Sequence, residues 1–251
     1  MLTAHDLERA LAGAGLTAPV RADEVTGSTN ATALAMAEAG APEWTLVAAA
    51  HQTQGRGRSG RSWVDLRGSA LMCSFVLRPA LPAARAGLLT LLAGASLAEA
   101  ARSLGADAGC KWPNDLMTHQ GKAGGILAES VVADGALRHV VIGTGVNLGE
   151  APPGVEGAAA LTGVEAAPLL ERYLQRMADR YTPSDDGFAA EVVAAAVATS
   201  VTLGTEVEAA RAGGAPVTGR AVDLDLDGGL VVDTGGGLVT IAFGEVVRVR
   251  R

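Results

Sequence analysis

The chain has 251 residues, of which 49% are hydrophobic, and this is enough apolar sequence to build a globular core. Aspartates and glutamates number 27 against 20 lysines and arginines, which gives a formal net charge of −7. This acidic balance argues against broad nucleic-acid binding, because proteins that follow a phosphate backbone carry a basic patch or stripe.

The cysteines and the distribution of charge argue against a secreted or membrane protein. Cys73 and Cys110 form neither a metal-binding pair nor a disulfide framework, so we expect both to be core thiols. The first residues, MLTAHDLERALAGAG, lack the basic and apolar regions of a signal peptide. No segment reaches the ~18 uninterrupted apolar residues of a membrane-spanning helix. We therefore expect a cytoplasmic protein without a membrane partner.

Helix-like and strand-like segments alternate along the first 200 residues. Ser28 or Thr29 is expected to cap one helix, which Gly40 ends. Apolar runs over 124–132 and 137–148 flank the tight turn ADGA, and they predict adjacent strands of an antiparallel or mixed sheet. The other predicted elements are helices over 6–13, 84–103, 168–181 and 187–200 and strands over 19–25, 44–52, 69–77 and 106–112.

The pattern changes at about residue 200. From Thr202 onward, short valine-rich strands alternate with Gly and Asp turns, and no helical period appears. The sequence thus predicts two domains, residues 1–200 and residues 201–251. The second is too small to be stable unless it docks on the first.

The segment QTQGRGRSGRSW, residues 52–63, concentrates glycine and arginine in an acidic chain. Its GRGRSG has the spacing of a dinucleotide fingerprint, but that motif needs a following helix and an acidic residue about 20 positions later, where Ala80 stands. Glycine N–H groups and the guanidinium groups of Arg56, Arg58 and Arg61 instead suit the anionic group of a small ligand. A solvated surface loop is the alternative, and the residues alone leave it open.

Two further motifs lie at the ends of predicted strands. KWPNDL, residues 111–116, places Lys111 where sheet proteins often carry reactive groups. GTGVNL, residues 143–148, exposes the backbone at Gly143 and Gly145, and the amide of Asn147 can donate and accept hydrogen bonds as an adenine edge requires. A surface lysine and a simple turn are the alternatives. The four histidines show no metal-ligand spacing, so the metal ligands are unknown.

Together the motifs form a signature that runs from about residue 24 to the end of the chain. It comprises STN (28–30), QTQGRGRSGRSW (52–63), KWPNDL (111–116), GKAGGILAE (121–129), GTGVNL (143–148) and the short β tail. Their order and spacing resemble those of the biotin protein ligases, the biotin–[acetyl-CoA-carboxylase] ligases. The resemblance implies an α+β fold of the class II aminoacyl-tRNA synthetase and biotin ligase type. Such a fold has a mixed catalytic sheet flanked by helices and a small C-terminal SH3-like β-barrel.

The resemblance also implies an ATP-dependent reaction in two steps. The carboxylate of the substrate biotin attacks the α-phosphate of ATP, and pyrophosphate leaves with Mg²⁺. The resulting biotinyl-5′-AMP is then attacked by a lysine amine of a biotin carboxyl carrier protein. Fixed cations lower the barrier, because two anions must be brought together and charge builds on the phosphate. Lys111 and Arg58 are the implied catalytic residues.

The family roles carry over to two overlapping sets of residues. The residues implied to bind biotin are Ser28, Thr29, Asn30, Gln52, Arg56, Gly57, Arg58 and Lys111. The residues implied to bind ATP or the adenylate are Arg56, Arg58, Arg61, Lys111, Gly143, Gly145 and Asn147. The arginine loop is expected to be mobile without ligand and to close over the adenylate, which excludes water.

The sequence departs from the family pattern at two points, and two other functions are alternatives. Ser59 stands where many relatives have arginine, so the loop carries fewer cations. Relatives that repress transcription carry a winged helix-turn-helix before the ligase domain, and STN at 28–30 leaves no room for it; we expect a ligase-only protein with no nucleic-acid partner. A lipoate protein ligase and a non-catalytic biotin-binding protein are the rivals. The GRGR and KWPND stretches favour biotin, the cations favour catalysis, and a homodimer is left open.

Overall fold

The computed structural model describes residues 1–211, 215–242 and 244–250. Its helices are α1 (Ala4–Gly13), α2 (Thr29–Glu38), α3 (Ala86–Ser103), α4 (Ala166–Arg180) and α5 (Phe188–Thr199). Its strands are β1 (Val20–Asp23), β2 (Leu46–Ala49), β3 (Ala70–Leu77), β4 (Gly109–Lys111), β5 (Asp115–Thr118), β6 (Gly121–Ala133), β7 (Ala136–Asn147), β8 (Glu206–Arg211), β9 (Val217–Leu224), β10 (Leu230–Asp233), β11 (Leu238–Ile241) and β12 (Gly244–Arg250).

The first seven strands form one mixed sheet in the order β1-β2-β3-β7-β6-β5-β4. β1 and β2 run parallel, and the other neighbouring pairs are antiparallel. β6 and β7 form the long hairpin that the apolar runs predict, and β7 also pairs with β3 along most of its length. The predicted α+β class, with a mixed sheet flanked by helices, is thereby confirmed.

Helices cover both faces of this sheet. Successive side chains of a strand point to opposite faces. Val47, Val76 and Val141 therefore pack with α2 in a small apolar cluster on one face. Their neighbours in the strands, such as Leu46 and Phe75, belong to the main core on the other face, where α3 and α4 lie. The predicted site residues Asn30, Gly143 and Gly145 lie on the α2 face.

The helix α3 is apolar on most of its surface, because the sheet, α4 and α5 surround it. Within residues 1–211, 215–242 and 244–250, no helix is both long and apolar enough to cross a membrane. Cys73 lies in the main core and Cys110 packs against it. Burial raises the pKa of each thiol to about 12, so both are protonated and inert at neutral pH. Both are confirmed as core thiols.

A second, five-stranded antiparallel sheet has the order β11-β10-β9-β8-β12. It docks on the first domain through Trp112, whose backbone N–H donates to Thr202 Oγ1 at 2.9 Å and whose indole N–H donates to the carbonyl of Gly228 at 3.0 Å. Arg85 Nε adds an ion pair to Asp227 Oδ1 at 3.1 Å. The small C-terminal β domain is thus present, and its boundary at residues 200 and 201 stays a prediction.

One strand next to the predicted site residues has no counterpart in the sequence prediction. β5 follows the PND turn directly and joins β4 to β6. Its four residues are too few to show a period of two. This strand adds one row to the sheet between Lys111 and β6.

Candidate functional site

A pocket of about 120 Å³ opens on the α2 face of the large sheet. The N-terminus of α2, the arginine loop and the central strands β6 and β7 surround it. Its lining includes most of the predicted site residues, namely Ser28, Thr29, Asn30, Gln52, Arg56, Gly57, Arg58, Arg61, Gly143 and Gly145. It also includes residues that the sequence analysis does not single out, namely Ser62, Trp63, Asn114, Lys122, Gly125, Ile126, Leu127 and Thr144. The roles of all these residues stay predictions.

One end of the pocket is a buried network of neutral polar groups. Gln52 Oε1 accepts the backbone N–H of Thr29 at 2.7 Å and lies 3.1 Å from its hydroxyl. Ser74 Oγ lies 2.8 Å from Thr29 Oγ1 and donates to Asn30 Oδ1 at 2.6 Å. Ser28, Thr29 and Asn30 are each less than 7% exposed. Because these groups hold one another, their orientation is set before a ligand arrives.

Asn30 connects this network to the arginine loop. Its Nδ2 donates to the Leu127 carbonyl at 3.2 Å and to Glu129 Oε2 at 2.8 Å. The same Oε2 lies 3.0 Å from Arg56 Nη2. Glu129 and Ser74 sit on strands far from Asn30 in sequence, so only strand register reveals their contribution to the network.

Gly143 and Gly145 of β7, both predicted site residues, allow the Asn30 and Trp63 side chains to lie directly on the sheet. Gly143 and Gly145 are two residues apart and therefore face the same side. A Cβ at Gly143 would collide with the Asn30 side chain, and one at Gly145 would come within 2.7 Å of the Trp63 indole. The Asn30 and Trp63 side chains thus require these glycines. The indole N–H of Trp63 is buried and has no partner within the part of the chain that the structure describes.

The arginine loop folds back on itself as a short hairpin. The N–H of Gly57 donates to the carbonyl of Arg61 at 2.7 Å, and the N–H of Trp63 donates to the carbonyl of Gly55 at 2.9 Å. At its tip Ser59 has a φ of +55°, a left-handed conformation that L residues with a Cβ disfavour. Ser59 is exposed, so a longer cationic side chain at this position would begin in solvent.

Cations and their partners occupy the opposite end of the pocket. Arg58 Nη1 donates to Asn114 Oδ1 at 3.2 Å, and Asn114 Nδ2 donates to the Ile126 carbonyl at 2.8 Å. Lys122 Nζ lies 2.6 Å from Asp115 Oδ1. The asparagine and aspartate of the PND motif thus each hold one cation beside the pocket.

Lys111 does not line the pocket. It lies on β4 at the edge of the sheet, opposite Asp115 on β5, whereas the pocket floor is formed by β6 and β7. Strands lie about 4.8 Å apart, so β4 is about 10 Å from β6. Lys111, Asp115, Gly125 and Gly145 are successive cross-strand partners, so Lys111 faces the pocket side of the sheet and its role stays a prediction. Lys122 of the GKAGGILAE stretch lines the pocket, and its position just before the predicted strand over 124–132, within a motif of the signature, was the available signal.

Asn147 also lies outside the pocket lining, but it faces the same side of β7 as Gly143 and Gly145. Its Nδ2 donates to the Ala159 carbonyl at 2.9 Å, which holds the side chain in place. Its Oδ1 is buried and accepts no hydrogen bond within the described residues. A buried acceptor without a donor costs about 1–3 kcal/mol, so a ligand N–H at this point would be stabilised.

Comparisons with known proteins identify the relatives of this chain. Residues 23–147 match the Biotin/lipoate A/B protein ligase family, and residues 202–249 match the Biotin protein ligase C terminal domain. The chain is 35% identical over 240 residues to the biotin–[acetyl-CoA-carboxylase] ligase of Mycobacterium tuberculosis, covering 90% of this chain and 87% of that protein. It is 38% identical over 130 residues to the bifunctional ligase/repressor BirA of Bacillus subtilis, covering 51% and 40% of the two chains.

Solved structures show the same fold. The biotin protein ligase from Aquifex aeolicus in complex with biotin and ATP superposes with a TM-score of 0.72 at 25% sequence identity. The superposition covers 93% of this chain and 99% of that one.

Proposed function

This chain belongs to the biotin protein ligase family, and we propose that it activates biotin with ATP and then transfers it to a lysine of a biotin carboxyl carrier protein. The observation that carries the proposal is the polarity of the pocket. Neutral, prearranged hydrogen-bonding groups occupy one end, and cations occupy the other. Biotin has the same polarity, with a neutral ureido ring at one end and a carboxylate at the other.

The neutral end suits the ureido ring. A cyclic urea offers two N–H donors and one carbonyl acceptor, and these match the hydroxyl and amide groups of Ser28, Thr29, Asn30 and Gln52. Selectivity follows from burial, because a ligand that lacks these groups would leave the buried partners unpaired. Lipoate has no ureido ring, so this end of the pocket favours biotin.

The cationic end suits the carboxylate and the α-phosphate. Arg58 and Lys122 are held by the neighbouring Asn114 and Asp115, so they are placed before charge develops. Arg56 pairs with Glu129 through a half-exposed contact, which is weak enough for an incoming anion to replace. We assign the phosphate-directed lysine to Lys122, which lines the pocket, and Lys111, which faces the same side of the sheet two strands away, is the second candidate.

In the first step these residues bind and orient two anions. The biotin carboxylate displaces pyrophosphate from the α-phosphate, and the cations offset the repulsion between the two groups. The arginine loop then covers the mixed anhydride and excludes water that would hydrolyse it. The predicted opening of this loop without ligand is part of the proposal.

The buried Oδ1 of Asn147 supports a place for adenine. The exocyclic amino group of adenine is a donor that would satisfy this oxygen, while Nδ2 stays bound to the Ala159 carbonyl. An Asn147→Ala variant should therefore raise the KM for ATP and leave the KM for biotin near its wild-type value. An equal change in both constants would contradict the assignment.

The site suits Mg²⁺ that binds together with ATP, through the phosphate oxygens. The described residues hold no group of three or more His, Cys, Asp or Glu side chains that could bind a metal, and the two carboxylates beside the pocket, Asp115 and Glu129, are paired with cations. Mg²⁺ binds readily through phosphate oxygens and water with few protein ligands. When bound with ATP, it would neutralise charge on the departing pyrophosphate.

The family acts on carrier proteins of biotin-dependent carboxylases, and we propose such a carrier domain as the partner. A cytoplasmic location and a homodimer stay predictions. The test of the function is ATP–pyrophosphate exchange measured side by side with biotin and with lipoate. Exchange with biotin supports the proposal, whereas exchange with lipoate alone would overturn the substrate. Exchange with neither would favour a non-catalytic binding protein.

A further inference from the structure

A second cavity, of about 310 Å³, lies next to the pocket on the other face of the sheet. The N-terminal part of α3, strands β6 and β7 and the C-terminal sheet enclose it. Ala128 and Ser130 of β6 line this cavity, whereas Leu127, which directly precedes Ala128 and points to the other face, lines the pocket. The two spaces share Arg58 and Ile126, so they meet at one point.

The sheet does not separate the two spaces at that point. β5 pairs with β6 only from Gly121 to Gly125, and the N–H of Ile126 donates to the Asn114 carbonyl at 2.9 Å. Beyond Ile126, no strand among the described residues pairs with β6 on its β5 side, and we call this the free edge of β6. Arg58 lies at this edge, where its guanidinium contacts Asn114.

The walls of the cavity are apolar and its mouth is open. Leu91, Trp112, Ile126 and Val140 are buried and form the floor. At the mouth, Ser130 and Ala242 are exposed. Arg58 is the one charged residue among its described lining residues, and it lies at the end that meets the pocket. The cavity therefore suits an aliphatic chain that enters from solvent and carries a polar group to the Arg58 end.

The geometry points to this cavity, which we name the lysine channel, as the route by which the acceptor lysine of the carrier protein reaches the adenylate. This inference rests on the proposed function, in which Arg58 marks the carboxyl end of biotin. The lysine stem packs against Trp112, Ile126 and Ala128, and the amine emerges beside Arg58. The backbone around the lysine then lies at the mouth, between the free edge of β6 and the C-terminal sheet.

The channel also suits the chemistry of the second step. Only a neutral amine is a nucleophile, and apolar walls next to a guanidinium disfavour the ammonium form. The lone pair of the amine attacks the carbonyl carbon of the mixed anhydride, and the bond from that carbon to the phosphate oxygen breaks. AMP leaves with the electron pair, and the new amide nitrogen releases its proton to the phosphate or to water.

The test uses two substitutions that each place a larger side chain in the channel, one on each of two walls. Ala128→Leu acts from β6 and Thr90→Leu acts from α3, and neither residue belongs to the pocket. Ala133→Leu makes the same alanine-to-leucine change at an exposed position of β6 and is the matched control. Biotin-dependent ATP–pyrophosphate exchange reports the first step and the integrity of the fold. Transfer to a biotin carboxyl carrier domain reports the second.

A chemical probe separates the channel from the pocket. Preformed adenylate on the enzyme is treated with methylamine or with n-butylamine, two amines of similar basicity, of which only the second carries a lysine-like stem. Wild-type enzyme should favour n-butylamine. In each channel variant, the rate of transfer to the carrier and the rate of reaction with n-butylamine should both fall on the order of tenfold. The rates of ATP–pyrophosphate exchange and of reaction with methylamine should not change.

The outcomes divide clearly. If both channel variants transfer biotin to the carrier as fast as Ala133→Leu, the channel is not the route. The proposal also fails if the wild-type enzyme shows no preference for n-butylamine, or if both amines slow equally in the variants. If the wild-type enzyme shows no ATP–pyrophosphate exchange with biotin, the proposed function itself is contradicted.

Discussion

Asp65 Oδ2 lies 2.9 Å from Nδ1 of His51, so one carboxylate links the two stems of the arginine loop. Its other oxygen accepts the backbone N–H of Gln52 at 3.3 Å. The Asp65 side chain is only 1% exposed, which makes this a fixed contact rather than a surface pair. Because Gln52 also holds Thr29, Asp65 positions the neutral end of the pocket without lining it.

Replacing Asp65 should therefore weaken biotin binding. We expect Asp65→Ala to raise the KM for biotin several-fold, with a smaller effect on kcat, because Gln52 loses its anchor while the cations stay in place. Asp65→Asn, which keeps one acceptor, should recover part of the affinity. Glu24→Gln, which alters the exposed pair with Arg67, is the control. An unchanged KM for biotin in Asp65→Ala would rule out this positioning role.

Lys122 on β6 and Lys111 on the edge strand β4 should differ in their effect on adenylate formation. Lys122→Ala removes a cation from the pocket, and we expect a loss of roughly 10²–10³ in the rate of biotin-dependent exchange. Lys111→Ala should have a smaller effect, because Lys111 faces the pocket side of the sheet but lies two strands away from β6. Circular dichroism checks that Lys122→Ala, which leaves Asp115 unpaired, still folds. The reverse ranking would restore Lys111 as the phosphate-directed lysine.

Only part of the candidate site could be predicted from the sequence. Motif residues that are close in sequence, such as Arg56 to Arg61, can be assigned to one loop directly. The partners of that loop cannot, since Glu129 and Asn114 meet it only through strand pairing and the unpredicted strand β5. The large helices and the long β6–β7 hairpin were predictable because their apolar patterns are long.

Ser59 offers a test of strain in the arginine loop. Its φ of +55° disfavours any residue with a Cβ, whereas glycine adopts this conformation freely. Ser59→Gly should leave exchange intact and raise the free energy of unfolding by up to about 1 kcal/mol, since relief of strain outweighs the greater freedom of the unfolded chain. Ser59→Ala keeps the Cβ and should give no gain. Equal stability of the two variants, measured by urea denaturation, would contradict the strain.

His139 should make the fold sensitive to acid. It is 1% exposed, and both ring nitrogens lack a hydrogen-bond partner within the described residues. Burial lowers its pKa, and Arg78 and Arg138 lower it further, against a smaller opposing effect of Glu38. The folded chain thus keeps the ring neutral at a pH where the unfolded chain, with a pKa of about 6.5, already binds a proton.

The sign of the pH effect follows from this difference. The stability that a neutral His139 contributes is fully present above about pH 6.5 and is lost as the pH falls below that value, because protonation then favours the unfolded chain. The free energy of unfolding of the wild type should fall between pH 7.5 and pH 5.5, in part because of His139. We expect this part of the fall to be absent in His139→Leu. His5→Gln, at an exposed position of α1, is the control. Urea denaturation at the two pH values measures the effect, and an identical decline in His139→Leu and wild type would place the acid sensitivity elsewhere.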